Sequence, residues 1–168
     1  MAVDDKVARG GNGASAGTDK DPTIQMLGQY VKDLSFENPN APQSFLQQSP
    51  QAKLDINVGV SVRELTDNAH EVALNIENRL ATDKNVLFHL QLEYAGAFRI
   101  VNLAPEIRHQ VLRVQCPSLL YPFARRLVAD LTRDGGFPQL LLDPVDFGQL
   151  YAQEMVRQQA AAGGKQIV

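Results

Sequence analysis

Three consecutive segments of the chain alternate between apolar and polar residues, the first of them strictly. They are KLDINVGVSVR (53–63), EVALNIENRL (71–80) and VLFHLQLEY (86–94), and only a few turn-forming residues separate each from the next. Alternation with a period of two predicts strands with one buried and one solvated face. Connections this short join antiparallel neighbours. The sequence therefore predicts an antiparallel sheet at the centre of the fold.

A further strand is predicted near the N-terminus, around QYVKDLSFE (29–37). Strict alternation there would place Tyr30, Leu34 and Phe36 on one face. The segment NPNAPQSFLQQSP (38–50) follows, and its prolines predict an irregular crossing loop rather than a tight turn. This long connection favours a Greek-key-like strand order.

The pattern becomes helical from residue 104 onwards. Pro105 opens a predicted short helix, Cys116–Pro117 is expected to interrupt it, and apolar residues then recur at helical spacing. A last helix is predicted after Asp146, which begins a capping-box pattern. The predicted fold class is α+β, with a four-stranded antiparallel Greek-key-like sheet followed by two main helices.

The two main helices are joined by GGFPQLLLDPVDF (135–147), which is apolar but has no regular period. Gly135 and Gly136 are expected to end the preceding helix and to let the chain turn back. Pro138 and Pro144 keep the segment from becoming helical. An extended apolar connector is therefore predicted here.

The length of 168 residues suits one domain, which is expected to span residues 23–160. Residues 1–22 combine glycines with polar side chains and are expected to form a disordered tail. Residues 161–168 are expected to form a flexible C-terminal tail.

Charge and cysteine content exclude several classes of protein. The formal net charge is −3 and no dense basic cluster is present, which argues against nucleic-acid binding. The single cysteine, Cys116, cannot form an intrachain disulfide, which suits a reducing compartment. No stretch resembles a cleaved signal or a membrane span. A cytosolic chain without direct membrane insertion is predicted.

The residue types that carry catalysis do not form a recognisable motif. His70, His89 and His109 share no metal-ligand spacing. Cys116 precedes a proline and has no neighbouring histidine or lysine, so a structural thiol is predicted. We therefore expect no enzyme, with no catalytic residues, no metal and no cofactor.

Two surface features remain after this search. Aromatic residues lie in or near predicted loops at Phe45, Tyr121, Phe123 and Phe137. They either fill the gap between helices and sheet or form an apolar groove for extended polypeptide. On the first strand, acidic residues recur at positions that share the wet face. They form either an ordinary solvated face or a docking patch for a basic partner.

Two long stretches resemble the SecB family of bacterial protein-export chaperones: YVKDLSFENPNAP (30–42) and CPSLLYPFARRLVADLTRDGGFPQLLLDPVDF (116–147). The similarity covers roughly residues 24–158. It implies a SecB-like homotetramer built from two dimers. It also implies an ATP-independent, cofactor-free cytosolic chaperone that holds unfolded secretory precursor proteins and delivers them to the export ATPase SecA.

The resemblance also implies two sites. The connector would wall a client-peptide groove, with contacts from a set of aromatic and aliphatic residues: Phe36, Phe45, Leu90, Leu92, Tyr121, Phe123, Phe137 and Leu140. On the other surface, Asp33 and Glu37 match the acidic pair that docks the basic C-terminal tail of SecA. A further acid is expected at Gln91, and Glu93 is the predicted substitute.

Three points stay open at the level of sequence. Arg125–Arg126 replaces an expected arginine–acid pair in the main helix, which bears on the stability of the tetramer. A SecB-like chaperone dedicated to one toxin–antitoxin pair would share the fold and the groove, although the acidic pair favours general export. A small-ligand enzyme would require a cluster of perturbed titratable groups in one pocket.

Overall fold

A four-stranded antiparallel sheet forms the centre of the computed structural model, which describes residues 21–46 and 51–163. The strands run in the order β1-β4-β3-β2. Their bounds are Thr23–Glu37 (β1), Lys53–Thr66 (β2), Ala69–Ala81 (β3) and Val86–Val101 (β4). Short hairpins join β2, β3 and β4, whereas β1 crosses to pair with β4. The predicted Greek-key-like sheet and the α+β class are confirmed.

Helices follow the sheet in the chain. These helices are Pro105–Gln110 (α2), Cys116–Asp134 (α3) and Phe147–Gly163 (α4). One short helix, Gln43–Leu46 (α1), lies earlier in the chain, between β1 and β2. The backbone N–H of Gln149 donates to Asp146 Oδ1 at 2.9 Å, so the predicted cap of α4 is present. Residues 1–20 and 164–168, which hold most of both predicted tails, lie outside the described residues, as does the end of the crossing loop at 47–50.

The predicted interruption at Cys116–Pro117 is wrong. Residues Val111–Gln115 form a π-helical turn that joins α2 directly to α3. Both Val111 and Cys116 have right-handed helical backbone angles. Pro117 has no N–H group to donate, and a π turn shifts the hydrogen-bond pairing just before it. The proline is therefore accommodated by widening the helix rather than by ending it.

The hydrophobic core lies between α3 and the strands β3 and β4. Even-numbered residues of these strands face the helices, and Leu74, Ile76 and Phe98 are fully buried among them. At Gly96 a β-carbon would lie 2.9 Å from Leu120 Cδ2, so α3 crosses β4 in close contact. We call this side of the sheet the helix face and the opposite side the polar face.

The first strand carries two bulges, and the second changes which side chains share a face. The pairing shifts between Val31 and Asp33, so that Lys32 has no partner on β4. Leu34 and Phe36 lie on the helix face, opposite Leu92 and Leu90. Tyr30 lies on the polar face, because the extra residue reverses the alternation. The prediction that Tyr30 shares a face with Leu34 and Phe36 is therefore wrong.

The helix layer leaves the two edge strands partly open. On β1, Ile24, Leu27 and Leu34 remain substantially exposed, as do Leu54 and Ile56 on β2.

Among the described residues, no helix is long and apolar enough to cross a membrane.

Candidate functional site

The connector, residues 135–146, lies between α3 and α4 without regular secondary structure. Thr132, fully buried near the end of α3, accepts the Leu140 N–H on its Oγ1 at 2.9 Å and the Phe137 N–H on its carbonyl at 3.0 Å. At the other end, the Tyr121 hydroxyl donates to the Asp143 carbonyl. Hydrogen bonds to α3, rather than a strand ladder, therefore hold the connector in place.

Four phenylalanines form one continuous aromatic cluster, composed of Phe36, Phe45, Phe88 and Phe137. The rings of Phe36 and Phe88 stack with centroids 5.8 Å apart, and Phe137 lies 5.0 Å from Phe88. Phe45 of α1 lies 6.3 Å from Phe137 and is 55% exposed. The cluster thus joins the first strand, the crossing loop and the connector, with a buried floor and an exposed rim.

The two glycines of the connector make this cluster possible. A β-carbon on Gly135 would overlap the ring of Phe36, and one on Gly136 would lie 2.8 Å from the Phe45 ring. Gly136 also has a φ of 87°, in the region that favours glycine. Asn38 Nδ2 donates to the Gly135 carbonyl at 3.1 Å, which ties the crossing loop to the connector.

The other predicted aromatic groove residues lie elsewhere on α3. Tyr121 precedes Thr132 by three helical turns, roughly 16 Å along the axis. Its ring is buried edge-on against Phe147. Phe123 stacks on Tyr94 at 6.5 Å and is 41% exposed. The structure therefore groups Phe36, Phe45 and Phe137, and separates Tyr121 and Phe123 from them.

The aliphatic groove residues differ in their exposure. Leu90 and Leu92 both face the helices and are fully buried, so they lie beneath the accessible surface. Leu140 of the connector packs against the core while remaining partly exposed. Phe88 was not singled out from sequence, because a core position on an alternating strand carries no mark of contact with a loop.

The polar face brings the predicted acidic residues together. Asp33 lies opposite Glu93, and Glu37 lies opposite His89, in the pairing of β1 with β4. Glu77 of β3 lies opposite Gln91 and is 2.8 Å from His89 Nε2. Sequence reasoning missed Glu77, because only the register between β3 and β4 places it beside the other acids.

A buried carboxylate lies further along the same face. Glu71 of β3 is 6% exposed and receives donors from Tyr30, from Lys32 at 2.7 Å and from Arg63 at 3.2 Å. The hydrogen bonds from Lys32 and Tyr30 hold the pKa of Glu71 below its usual value. The same contact with Glu71 raises the pKa of Lys32 and that of Tyr30. Lys32 also lies 3.3 Å from Glu93.

A depression of about 450 Å³ lies between this network and Glu77. Its polar lining comes from all four strands and consists of Asp33, Asn57, Asn75, Glu77, Gln91 and Glu93. Gly59 forms its floor on β2, and a β-carbon there would meet no atom within 4 Å. We call it the Gly59 depression.

Three further titratable residues, Cys116, His70 and His109, belong neither to the aromatic cluster nor to the Gly59 depression. Burial raises the pKa of the Cys116 thiol to about 12, which keeps it protonated and unreactive. Burial lowers the pKa of His70. His109 contacts Tyr151 at 2.9 Å, away from the other histidines. In the described part of the chain, no group of three or more potential ligands could hold a metal ion.

Comparison with known proteins gives consistent relatives. The family described as preprotein translocase subunit SecB matches residues 17–158. The protein-export protein SecB of Rhodopseudomonas palustris (strain BisB5) is 49% identical over 148 residues, which cover 88% of this chain and 94% of the relative. That of Bradyrhizobium diazoefficiens is 48% identical over 153 residues, covering 91% of this chain and 95% of the relative.

A solved structure shares the fold at much lower sequence identity. It is the SecB-like chaperone of Mycobacterium tuberculosis in complex with a ChAD peptide from the HigA1 antitoxin. The superposition gives a TM-score of 0.59 at 18% identity and covers 73% of this chain and 90% of that chain. With a family match across most of its length and relatives near half identity, the chain belongs to the SecB family of protein-export chaperones.

Proposed function

We propose that the protein is an ATP-independent holdase of the cytoplasm that keeps secretory precursors unfolded and delivers them to SecA. The observation that carries the proposal is the division of the fold into two surfaces. The aromatic cluster lies on the helix face, whereas Asp33, Glu37 and Glu93 lie on the polar face of the same sheet. One molecule can thus hold a client on one side and dock a carrier on the other.

The client surface is built for apolar, extended segments. Phe36, Phe45 and Phe137 offer flat rings around the buried floor of Phe88. Aromatic rings provide large contact area at a low cost in side-chain entropy. Burial of apolar area contributes about 25 cal/mol per Å² without requiring a particular sequence. Such a surface suits many unfolded precursors and excludes folded proteins, whose apolar residues are already buried.

The acidic surface suits a basic segment of SecA. Asp33 and Glu93 are directly opposite on adjacent strands, and Glu37 lies beyond them on the same face. Like charges held this close repel each other, and a basic partner relieves that repulsion. Attraction of this kind weakens with salt over a screening length of about 8–10 Å.

We further propose that residues 23–160 act as one domain and that four chains assemble as a dimer of dimers. The half-exposed apolar side chains of β1 and the exposed Leu119 and Phe123 of α3 provide surfaces for such contacts. Arg125 and Arg126 lie on the same helix. Light scattering should give a mass near four times 18.5 kDa, and a mass of 18.5 kDa at micromolar concentration would reject the assembly.

The two surfaces are tested by separate variants. Asp33→Lys with Glu37→Lys should abolish SecA binding and leave retention of a precursor diluted from denaturant unchanged. Phe137→Ala should weaken precursor retention and leave SecA binding intact. The matched control is Asp83→Lys with Asp134→Lys, which makes the same change in net charge at exposed positions outside the strands.

Circular dichroism melting and light scattering on every variant exclude unfolding and dissociation as causes. Undiminished SecA binding by the charge-reversed variant at low salt would refute the acidic dock. The dedicated toxin–antitoxin chaperone is distinguished by capture from lysate after a denaturant jump. Many precursors together with SecA support export, and one toxin or antitoxin alone supports the rival.

A further inference from the structure

The acidic surface extends further across the sheet than the first strand and its neighbour. Gln91 of β4 lies between Ser35 of β1 and Glu77 of β3, because both pair with it in register. All three side chains therefore point to the polar face. Neighbouring strands lie about 4.8 Å apart, so Glu77 places a carboxylate one strand away from the neutral Gln91. Glu77 therefore supplies, next to Gln91, the negative charge that Gln91 itself lacks.

Glu77 also borders the Gly59 depression. Asn57 of β2 lies opposite Glu77, and Gly59 lies opposite Asn75. Between Asn57 and Ser61, Gly59 contributes no side chain to the polar face, and the space above it is open. The volume of about 450 Å³ is enough to accept a long side chain from outside.

The groups around this depression carry an excess of negative charge. Asp33, Glu77 and Glu93 are its carboxylates. Lys32 reaches Glu93 at 3.3 Å but lies closer to Glu71, at 2.7 Å. The one ion pair of Glu77 among the described residues is with His89, which is charged only when protonated. Among the described residues, Asp33 forms no ion pair within 4 Å.

The amides that complete the lining also suit a cationic guest. Asn57, Asn75 and Gln91 each present a carbonyl oxygen in addition to their N–H groups. An ammonium or guanidinium group carries several donors and no acceptor, so carboxylate and amide oxygens together can satisfy it. An apolar side chain would leave these groups unpaired, and the three carboxylates would repel an anionic one.

We propose that the Gly59 depression receives a lysine or arginine side chain of the docked SecA segment, with Glu77 as one of its counter-ions. This inference rests on the proposed acidic dock and adds to it a specific contact on β2 and β3. It assigns specificity to residues that lie outside the first strand, and it makes the absence of a side chain at Gly59 a functional feature.

The test fills the depression without changing its charge. Gly59→Gln should weaken SecA binding about ten-fold in calorimetry, which corresponds to about 1.4 kcal/mol. Gly28→Gln is the matched control, because Gly28 also lies on the polar face with no atom within 4 Å of an added β-carbon. Its binding should equal that of the parent. Neither glycine has a positive φ, so both backbones accept the new side chain.

A second pair of variants removes charge without adding volume. Glu77→Gln should weaken SecA binding about five-fold at low salt, the upper range for an exposed charge pair. Asp55→Asn makes the same change in charge on the same face but outside the depression, and should have no effect.

The outcomes separate the two proposals. Parent-like binding by both Gly59→Gln and Glu77→Gln, with binding lost in the Asp33→Lys, Glu37→Lys variant, overturns this inference alone. Parent-like binding by all of them overturns the acidic dock as well. Should Gly59→Gln prove unstable by circular dichroism, Glu77→Gln still decides, because it replaces one side chain with another of nearly the same shape.

Discussion

Tyr30 on β1 donates its hydroxyl to Glu71 on β3, across the full width of β4. The residues of β4 beneath this contact are Ala95 and Ala97, which lie opposite Tyr30 and Glu71 respectively. Their small side chains let long side chains from β1 pass over the strand between. Arg63 on β2 also contacts Glu71, so side chains of β1, β2 and β3 meet at this one buried carboxylate.

Loss of this carboxylate should destabilise the fold. Glu71→Ala leaves Tyr30, Lys32 and Arg63 without their common acceptor, and we expect a loss of about 1–3 kcal/mol in the free energy of unfolding. Urea unfolding followed by circular dichroism measures it. Glu77→Ala on the same strand serves as the control, since that carboxylate is half-exposed, and it should cost well under 1 kcal/mol. Equal losses in the two variants would contradict a structural role for Glu71.

The same carboxylate sets a dependence on acid. Its pKa in the folded state lies below the usual 4.5, so its stabilising effect is complete above about pH 4.5. The effect is lost as the pH falls through the folded-state pKa, because the unfolded chain binds the proton more readily. In the parent, the urea midpoint of unfolding should decrease as the pH is lowered from 6 to 3. A slope of the same size in Glu71→Gln would assign the acid sensitivity to other groups.

His70 should add a second step at higher pH. Burial lowers its pKa below the usual 6.5, so the folded state binds the proton less readily than the unfolded chain does. As the pH falls below about 6.5, the unfolded chain takes up the proton first, and the fold loses stability. The His70→Gln variant should lack this step below about pH 6.5 while keeping the Glu71 step. An unchanged profile in that window would show that His70 does not cause it.

The backbone at Gly136 should resist substitution. Its φ of 87° costs an ordinary residue about 1–2 kcal/mol, and an added methyl group would press on the Phe45 ring. Gly136→Ala should therefore lower stability by at least this amount and weaken precursor retention, because it displaces the rim of the aromatic cluster. Gly28→Ala, where space is open, should be neutral or slightly stabilising. Parent-like stability and retention in Gly136→Ala would exclude this view of the connector.

The Cys116 thiol should be inert in the native protein. Burial raises its pKa to about 12, and the side chain is inaccessible at the start of α3. A thiol reagent such as Ellman's reagent at pH 8 should react with it only after denaturant is added. Rapid reaction without denaturant would show that the core between α3 and the sheet opens readily.

Much of the sheet was predictable, because period-two alternation is a direct consequence of strand geometry. The sequence predictions that were wrong have local causes. The bulge at Lys32 inserts one residue without any mark in the sequence, and it moved Tyr30 to the polar face. The widened turn before Pro117 is likewise invisible, since a proline signals only that a hydrogen bond is missing.

For the candidate site, the sequence predicted individual residues within single segments but not the contacts between segments. The resemblance named Phe36, Phe45 and Phe137 from separate stretches, and their contact through Phe88 depends on how α1 and the connector fold onto β4. Glu77 joins Asp33 and Glu93 only through the register of three strands. Long-range pairing of this kind is not encoded in any local pattern.

The strand order has a consequence for the folding of the chain during its own translation. Glu37 at the end of β1 pairs with His89, and Thr23 at its start pairs with Val101, so the strand pairing of β1 requires a distant part of the chain. Translation proceeds from the N-terminus, and β1 therefore leaves the ribosome long before β4 exists. Closing such long loops is slow, and an unpaired strand with apolar side chains is prone to aggregate in the interval. During its own synthesis, this chaperone is briefly the kind of polypeptide that it protects.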